Sequence, residues 1–258
     1  MPLASAWRVI GASAIGTSHR QSGGQCEDAH AYRQRADGTL VLAVADGAGS
    51  AAWAAAGAAC AVAAAVAAAD RALDAQPLPA TEAAWQDLLA AAPAAARAAL
   101  EQLAAESPAP APARPLAAWA TTLVLAVVTT RWVAAVQVGD GAVVVQDGLG
   151  GLQAALRPAR GEYLNETVFL TADDYQARAQ YAVLAPVALR GVALLTDGLQ
   201  MLALNLAAGT PHAPFFTPLF TFATGPGAGD APLAAFLDSA RVCAQTDDDK
   251  TLLIAVRQ

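Results

Sequence analysis

Long apolar runs broken by short polar clusters set the pattern of this chain. Residues 39–45, 131–138, 142–146 and 191–196 are apolar almost throughout and are bounded by Gly, Asp or Thr, which predicts strands buried on both faces. Residues 7–18 alternate more loosely and predict a first strand. A Ser-Gly-Gly loop at 22–24 follows, and then a strand at 31–35 that the Asp37-Gly38 turn pairs with 39–45. Two alanine-rich stretches, 50–73 and 81–106, predict long helices, the second kinked or split at Pro93. Strand-like residues return at 118–130 and 167–170. The stretch 198–208 predicts a short helix, 210–229 a loop rich in Pro, Gly and Phe, 230–240 a helix, and the residues after Asp247-Asp248-Asp249 a final buried strand.

Two segments interrupt this order. Residues 107–115 (SPAPAPARP) read as an extended proline-alanine connector. Residues 157–186 hold most of the mid-chain polar side chains, among them Glu162, Asn165, Glu166, Asp173, Asp174 and Arg178, and read as a surface flap. Helices alone before the connector and strands alone after it would each leave an apolar face uncovered, so the expectation is a single domain over residues 1–258.

Composition narrows the chemistry. With a formal charge of −7 and a pI near 4.8, the chain lacks the clustered cations that nucleic acid or an anionic membrane would require. Lys250 is its one lysine, so no phosphate loop ends in Gly-Lys-Ser/Thr and no mid-chain lysine can serve a phosphoaspartate or a Schiff base. Cys26, Cys60 and Cys243 share neither disulfide nor metal spacing and fit reduced thiols of a cytoplasmic protein. The first residues show no signal-peptide pattern. Residues 51–69 carry no charge but are mostly alanine, which predicts a buried helix and no membrane insertion.

The candidate chemistry lies at the ends of the apolar runs. Asp-Gly occurs five times; Asp37 and Asp147 sit in ordinary turns, whereas Asp46 and Asp197 each terminate a core strand before a helix-like segment, with Asp140 intermediate. Asp28 begins a strand next to the one that ends on Asp46, and Asp248 leads into the last strand. Such carboxylates are costly in a core unless cations sit against them. Hard ions such as Mg²⁺ and Mn²⁺ take oxygen ligands of this kind, and a pair of them sharing one carboxylate can activate a bridging water for in-line attack on phosphorus.

In order and wording these motifs resemble the metal-dependent protein phosphatases, the type 2C protein serine/threonine phosphatases, in their compact bacterial form. The matching pieces are Glu27-Asp28-Ala29-His30, Val44-Ala45-Asp46-Gly47, Val138-Gly139-Asp140, Leu195-Thr196-Asp197-Gly198 and Asp248-Asp249-Lys250-Thr251. The resemblance implies an α/β sandwich: two packed, mainly antiparallel sheets with helices outside. It implies two Mn²⁺ or Mg²⁺ ions, joined in many members by a third, weaker one, that hydrolyse phosphoserine and phosphothreonine on a protein substrate of a serine/threonine kinase. Asp46 would bridge the ions and the Gly47 carbonyl would complete one of them. Asp197 and Asp248 would hold the other, Glu27 would act through water, Asp28 would order that water, and Asp140 with Asp197 would form the third site. Asp247 and Asp249 compete with Asp248, which is preferred because it lies three residues before Thr251. The chain departs from the family at Gly23, where an arginine commonly clamps the phosphate, and at Ala48, where some members carry a histidine. Arg20 is the nearest substitute clamp, with Arg33 or Arg178 behind it. The missing arginine leaves a second reading, a weak or inactive phosphatase-fold regulator that binds a phosphoprotein.

Overall fold

A computed structural model describes residues 7–107, 115–158, 167–186 and 188–258. The chain runs β1 (Trp7–Ala14), α1 (Thr17–Ser22), β2 (Ala29–Gln34), β3 (Leu40–Ala45), α2 (Ala54–Ala75) and α3 (Glu82–Glu106). After a 3-10 turn at Pro115–Trp119 come β4 (Leu123–Val128), β5 (Val133–Val138), β6 (Ala142–Gln146) and β7 (Leu152–Leu156). Then follow α4 (Tyr175–Arg178), β8 (Gln180–Leu184), β9 (Gly191–Leu195), α5 (Gln200–Ala203), and a small hairpin of β10 (Leu204–Asn205) and β11 (Thr210–Pro211). The chain closes with α6 (Ala213–Thr224), α7 (Asp230–Leu237), α8 (Ala240–Cys243) and β12 (Lys250–Arg257).

The strands form two antiparallel five-stranded sheets, ordered β1-β12-β9-β6-β7 and β2-β3-β4-β5-β8. Alternation of side chains along each strand builds three apolar layers from them. Leu40, Leu42 and Val44 of β3 meet Val143, Val192, Leu194 and Leu253 of the opposite sheet in the layer between the sheets. Val41, Ala43 and Ala45 point the other way, onto α2 and α3. Ala193, Leu195, Leu252 and Ile254 point onto α5 to α8. Every central strand is therefore buried on both faces, which is why its sequence is a continuous apolar run.

Several elements differ from their sequence expectation. The first strand stops at Ala14, and residues 17–22 turn into α1. Pro93 neither splits nor ends α3, because the face carrying Trp85, Leu88, Leu89, Ala92, Ala96 and Leu100 is buried, and that packing outweighs one lost backbone hydrogen bond. Residues 118–122 and 167–170 are not strand. Within the expected loop at 210–229 lies α6: Phe215, Phe216, Leu219, Phe220 and Ala223 are buried at helical spacing, and Pro214 sits in the first turn, where no N–H is needed. The flap expected at 157–186 contributes β8 to the edge of a sheet, while its residues 159–166, including Glu162, Asn165 and Glu166, lie outside the described residues, as does connector segment 108–114. By length and composition Ala54–Ala75 could cross a membrane; here its buried side packs on β3 and β4.

Candidate metal centre

One end of the sandwich gathers the acidic residues because antiparallel pairing brings strand starts and strand ends together there. Ala29 of β2 pairs with Ala45 of β3, so Glu27-Asp28 lies beside Asp46. In the other sheet Leu195 of β9 lies between Ala142 of β6 and Leu252 of β12, which places Asp197 between the turn holding Asp140 and the loop holding Asp248. The β5–β6 turn crosses from one sheet to the other, so the cluster draws on both.

Local bonds fix each position. The Asp46 N–H donates to Thr122 Oγ1 at 2.9 Å, and its carbonyl accepts from Thr121 Oγ1 at 2.8 Å and from the Thr122 N–H at 2.8 Å. At Gly47 a Cβ would lie 2.7 Å from backbone atoms of Ala54 and Glu27, so only glycine lets the start of α2 close over the acidic pair. Asp28 Oδ2 accepts from Thr196 Oγ1 at 2.7 Å, and Asp140 Oδ2 from Thr167 Oγ1 at 2.8 Å.

Asp46, Asp140 and Asp197 each offer a carboxylate oxygen, all within 4.8 Å of one another. Asp28 Oδ1, Asp140 Oδ1 and Glu27 Oε2 are buried atoms with no hydrogen-bond partner among the described residues. Crowding in a low-dielectric site makes charge expensive. Burial, followed by the neighbouring Asp28, Asp197 and Asp248, pushes Asp46 up to about 10. Burial likewise raises Asp28 to about 7, against the pull of the Thr196 hydroxyl, and burial with Asp140, Asp248 and Asp28 raises Asp197 to about 7. Asp140 and Glu27 are raised as well, by burial first. Three carboxylates this close, with orphaned carboxylate oxygens on Asp28, Asp140 and Glu27, fit a hard divalent cation, which would replace those protons.

The three consecutive aspartates differ in their surroundings. Asp247 is exposed, and its carbonyl accepts from the Ser18 N–H and hydroxyl. Asp248 is half-buried and close enough to raise Asp46, Asp140, Asp197 and Glu27. Asp249, 2% exposed, has both oxygens occupied, by the N–H groups of Gly16 and Glu27 at 2.5 Å each and by His19 Nδ1 at 3.0 Å.

Arg20 is not brought to the cluster. It pairs at 2.7 Å with Asp238, both side chains about half exposed, because α1 turns its guanidinium outward. Arg33 pairs with Asp70 and Arg178 with Asp174, each at the surface. Gly23 is the left-handed residue that ends α1, at φ 74°, a conformation in which an arginine would be strained. Ala48 is buried with Ala51, Ala54 and Ala120. Sequence reasoning missed His19 and the hydroxyls of Thr122, Thr167 and Thr196, and weighed Asp249 only as a rival ligand to Asp248. Only the threonines had a signal, as polar residues placed against strand ends.

Two sheets carrying this acidic end define a phosphatase-type sandwich, and comparison with known proteins agrees. The chain belongs to the protein phosphatase 2C family, whose model matches residues 15–238. It is 37% identical over 261 residues to serine/threonine-protein phosphatase 3 of Escherichia coli (strain K12), across 97% of this chain and 98% of that one. Solved structures with the same fold include the serine/threonine phosphatase Stp1 from Staphylococcus aureus, at 15% identity and a TM-score of 0.63 over 100% of this chain and 98% of that one. PppA, a regulatory component of T6SS in Pseudomonas aeruginosa, superposes with a TM-score of 0.61 at 18% identity over 99% of both chains.

Proposed function

We propose that this protein is a metal-dependent protein serine/threonine phosphatase, acting in the cytoplasm on phosphoproteins made by a serine/threonine kinase. The observation that carries this reading is the meeting of Asp46, Asp140 and Asp197 at one end of the two sheets, with orphaned carboxylate oxygens around them. Asp46, the Gly47 carbonyl, Asp197, Asp248 and Glu27 would hold two Mn²⁺ or Mg²⁺ ions, and Asp140 with Asp197 a third. When bound, such ions polarise the phosphoryl group and lower the pKa of water. The protein's own part is to fix the geometry and manage a proton. Thr196 holds Asp28 Oδ2, which leaves Oδ1 open to accept a proton from the attacking water. Attack at phosphorus then breaks the bond to the serine or threonine oxygen, which takes a proton from solvent as it leaves, and releases inorganic phosphate.

The same reading takes residues 1–258 as one unit, supported by the layer between the sheets, which draws residues from both sides of segment 108–114. The named enzyme relative at 37% identity favours catalysis over the regulator reading. Chelator-treated protein given a phosphothreonine peptide should release phosphate only after Mn²⁺ or Mg²⁺ is restored. An ion-saturated protein that binds the peptide without turnover would overturn the proposal.

A further inference from the structure

We propose that His19 is a nitrogen ligand of this centre, holding an ion jointly with Glu27 and biasing the site towards Mn²⁺, Co²⁺ and Zn²⁺ over Mg²⁺. The inference rests on the metal-dependent reading above. Asp249, itself caged by two backbone N–H groups, accepts from His19 Nδ1 at 3.0 Å and so fixes the ring. Its acceptor-only carboxylate assigns a proton to Nδ1, which makes Nε2 the nitrogen open to an ion. Nε2 lies 3.7 Å from Glu27 Oε2, a buried oxygen with no hydrogen-bond partner among the described residues. Two ligands of one ion sit roughly 3–4 Å apart when each bond is about 2.0–2.2 Å. Gly49 leaves the gap open: a Cβ there would stand 3.7 Å from Nε2 and 3.9 Å from Oε2. A carboxylate behind one imidazole nitrogen and a metal at the other is the usual arrangement for a ligating histidine.

A plain ion pair is the competing account. Burial lowers the His19 pKa but Asp249 and Glu27 raise it further, so an ion at Nε2 would displace a proton there; at 3.7 Å from Glu27 Oε2 that proton has no hydrogen bond to give up. Imidazole favours transition ions, whereas Mg²⁺ prefers oxygen and water, so the loss of His19 should separate the two.

Calorimetric titration of the chelator-treated full chain tests this. His19→Ala should weaken Mn²⁺ and Co²⁺ about tenfold or more, the scale of losing a ligand-shell group, and change Mg²⁺ by less than about twofold. Nitrogen NMR of the wild type should show Zn²⁺ moving the His19 Nε2 resonance while Nδ1 stays protonated, a readout independent of how well the variant folds. An unmoved Nε2 resonance, or equal affinities in His19→Ala and wild type, overturns the role of His19. Asp46→Asn is the companion variant: if it loses Mn²⁺ binding while His19→Ala does not, only the histidine inference fails. If neither loses it, the metal-dependent reading fails too.

Discussion

Asp249 and the Asp46 cluster lie at the same end of the sandwich, Asp249 fully buried and Asp46 partly so, yet they are built for opposite purposes. The carboxylate of Asp249 is saturated by Gly16, Glu27 and His19. Around Asp46 the neighbours are other carboxylates, and the Oδ1 atoms of Asp28 and Asp140 have no partner among the described residues. Degree of burial does not identify the ligand, since the more buried of the two is the satisfied one. Donor satisfaction can: a satisfied carboxylate holds the fold together, and an unsatisfied one awaits a cation.

The largest effect should come from removing a ligand. Asp46→Asn is expected to cut phosphate-ester hydrolysis by about 10²–10³-fold or more, as for loss of a principal charge-stabilising group. The same variant should leave the melting temperature of the metal-free protein almost unchanged at pH 7, because Asp46, pushed up to about 10, is already neutral there. A less stable apo variant would break the contrast from one side.

Asp249→Ala breaks it from the other side. Two buried N–H groups and His19 would lose their acceptor, costing about 3 kcal/mol or more of unfolding free energy, at roughly 1–3 kcal/mol per unsatisfied group. Denaturant melts of the metal-free protein read this directly. A shift within ~0.5 kcal/mol would mean that Asp249 is no structural cage.

A pH series sharpens the comparison. Asp28 and Asp197, at about 7, and Asp46, at about 10, bind protons more tightly folded than unfolded, where a carboxylate titrates near about 4. Their contribution to stability is thus full below about pH 4 and is lost as pH rises through about 7 and on towards 10. The metal-free protein should melt higher at pH 5.5 than at pH 8.5, and saturating Mn²⁺ should shrink that difference by stabilising the ionised cluster. A metal-free melting temperature that rises across this interval would contradict the assignment.

The smallest effect belongs to Arg20. Its pairing with Asp238 at the surface predicts that Arg20→Ala leaves the melting temperature essentially unchanged. The Michaelis constant for a phosphate ester should stay within about twofold. A severalfold rise would return Arg20 to the role of phosphate clamp.

Legibility in the sequence followed the same physics. Strands buried on both faces announce themselves as LVLAVA or AVVV, and the turns between them as Asp-Gly, so the central strands were readable, whereas their arrangement as a two-sheet sandwich came from the resemblance. Two of the four edge strands were not readable: β7 (LQAAL) and β8 (QYAVL) are half-polar and pair on one side only. The helix α6 was masked by its own composition, since Pro214, Pro218 and four phenylalanines suggest a loop until burial reveals the spacing. At the site, residues that end strands stood out, whereas His19 sits on a six-residue helix with no buried face. Which of Asp247, Asp248 and Asp249 turns towards the cluster depends on how the loop meets Gly16 and Glu27, and three identical residues in a row carry no sign of it.

Anomalous diffraction at the manganese edge, from crystals of this protein soaked in Mn²⁺, tests the central claim most directly. The account predicts peaks in bonding contact with Asp46 and Asp197, and none in bonding contact with Asp249. Absence of any peak at the acidic end of the sandwich, or an ion bound by Asp249 in place of the Asp46 cluster, would contradict it.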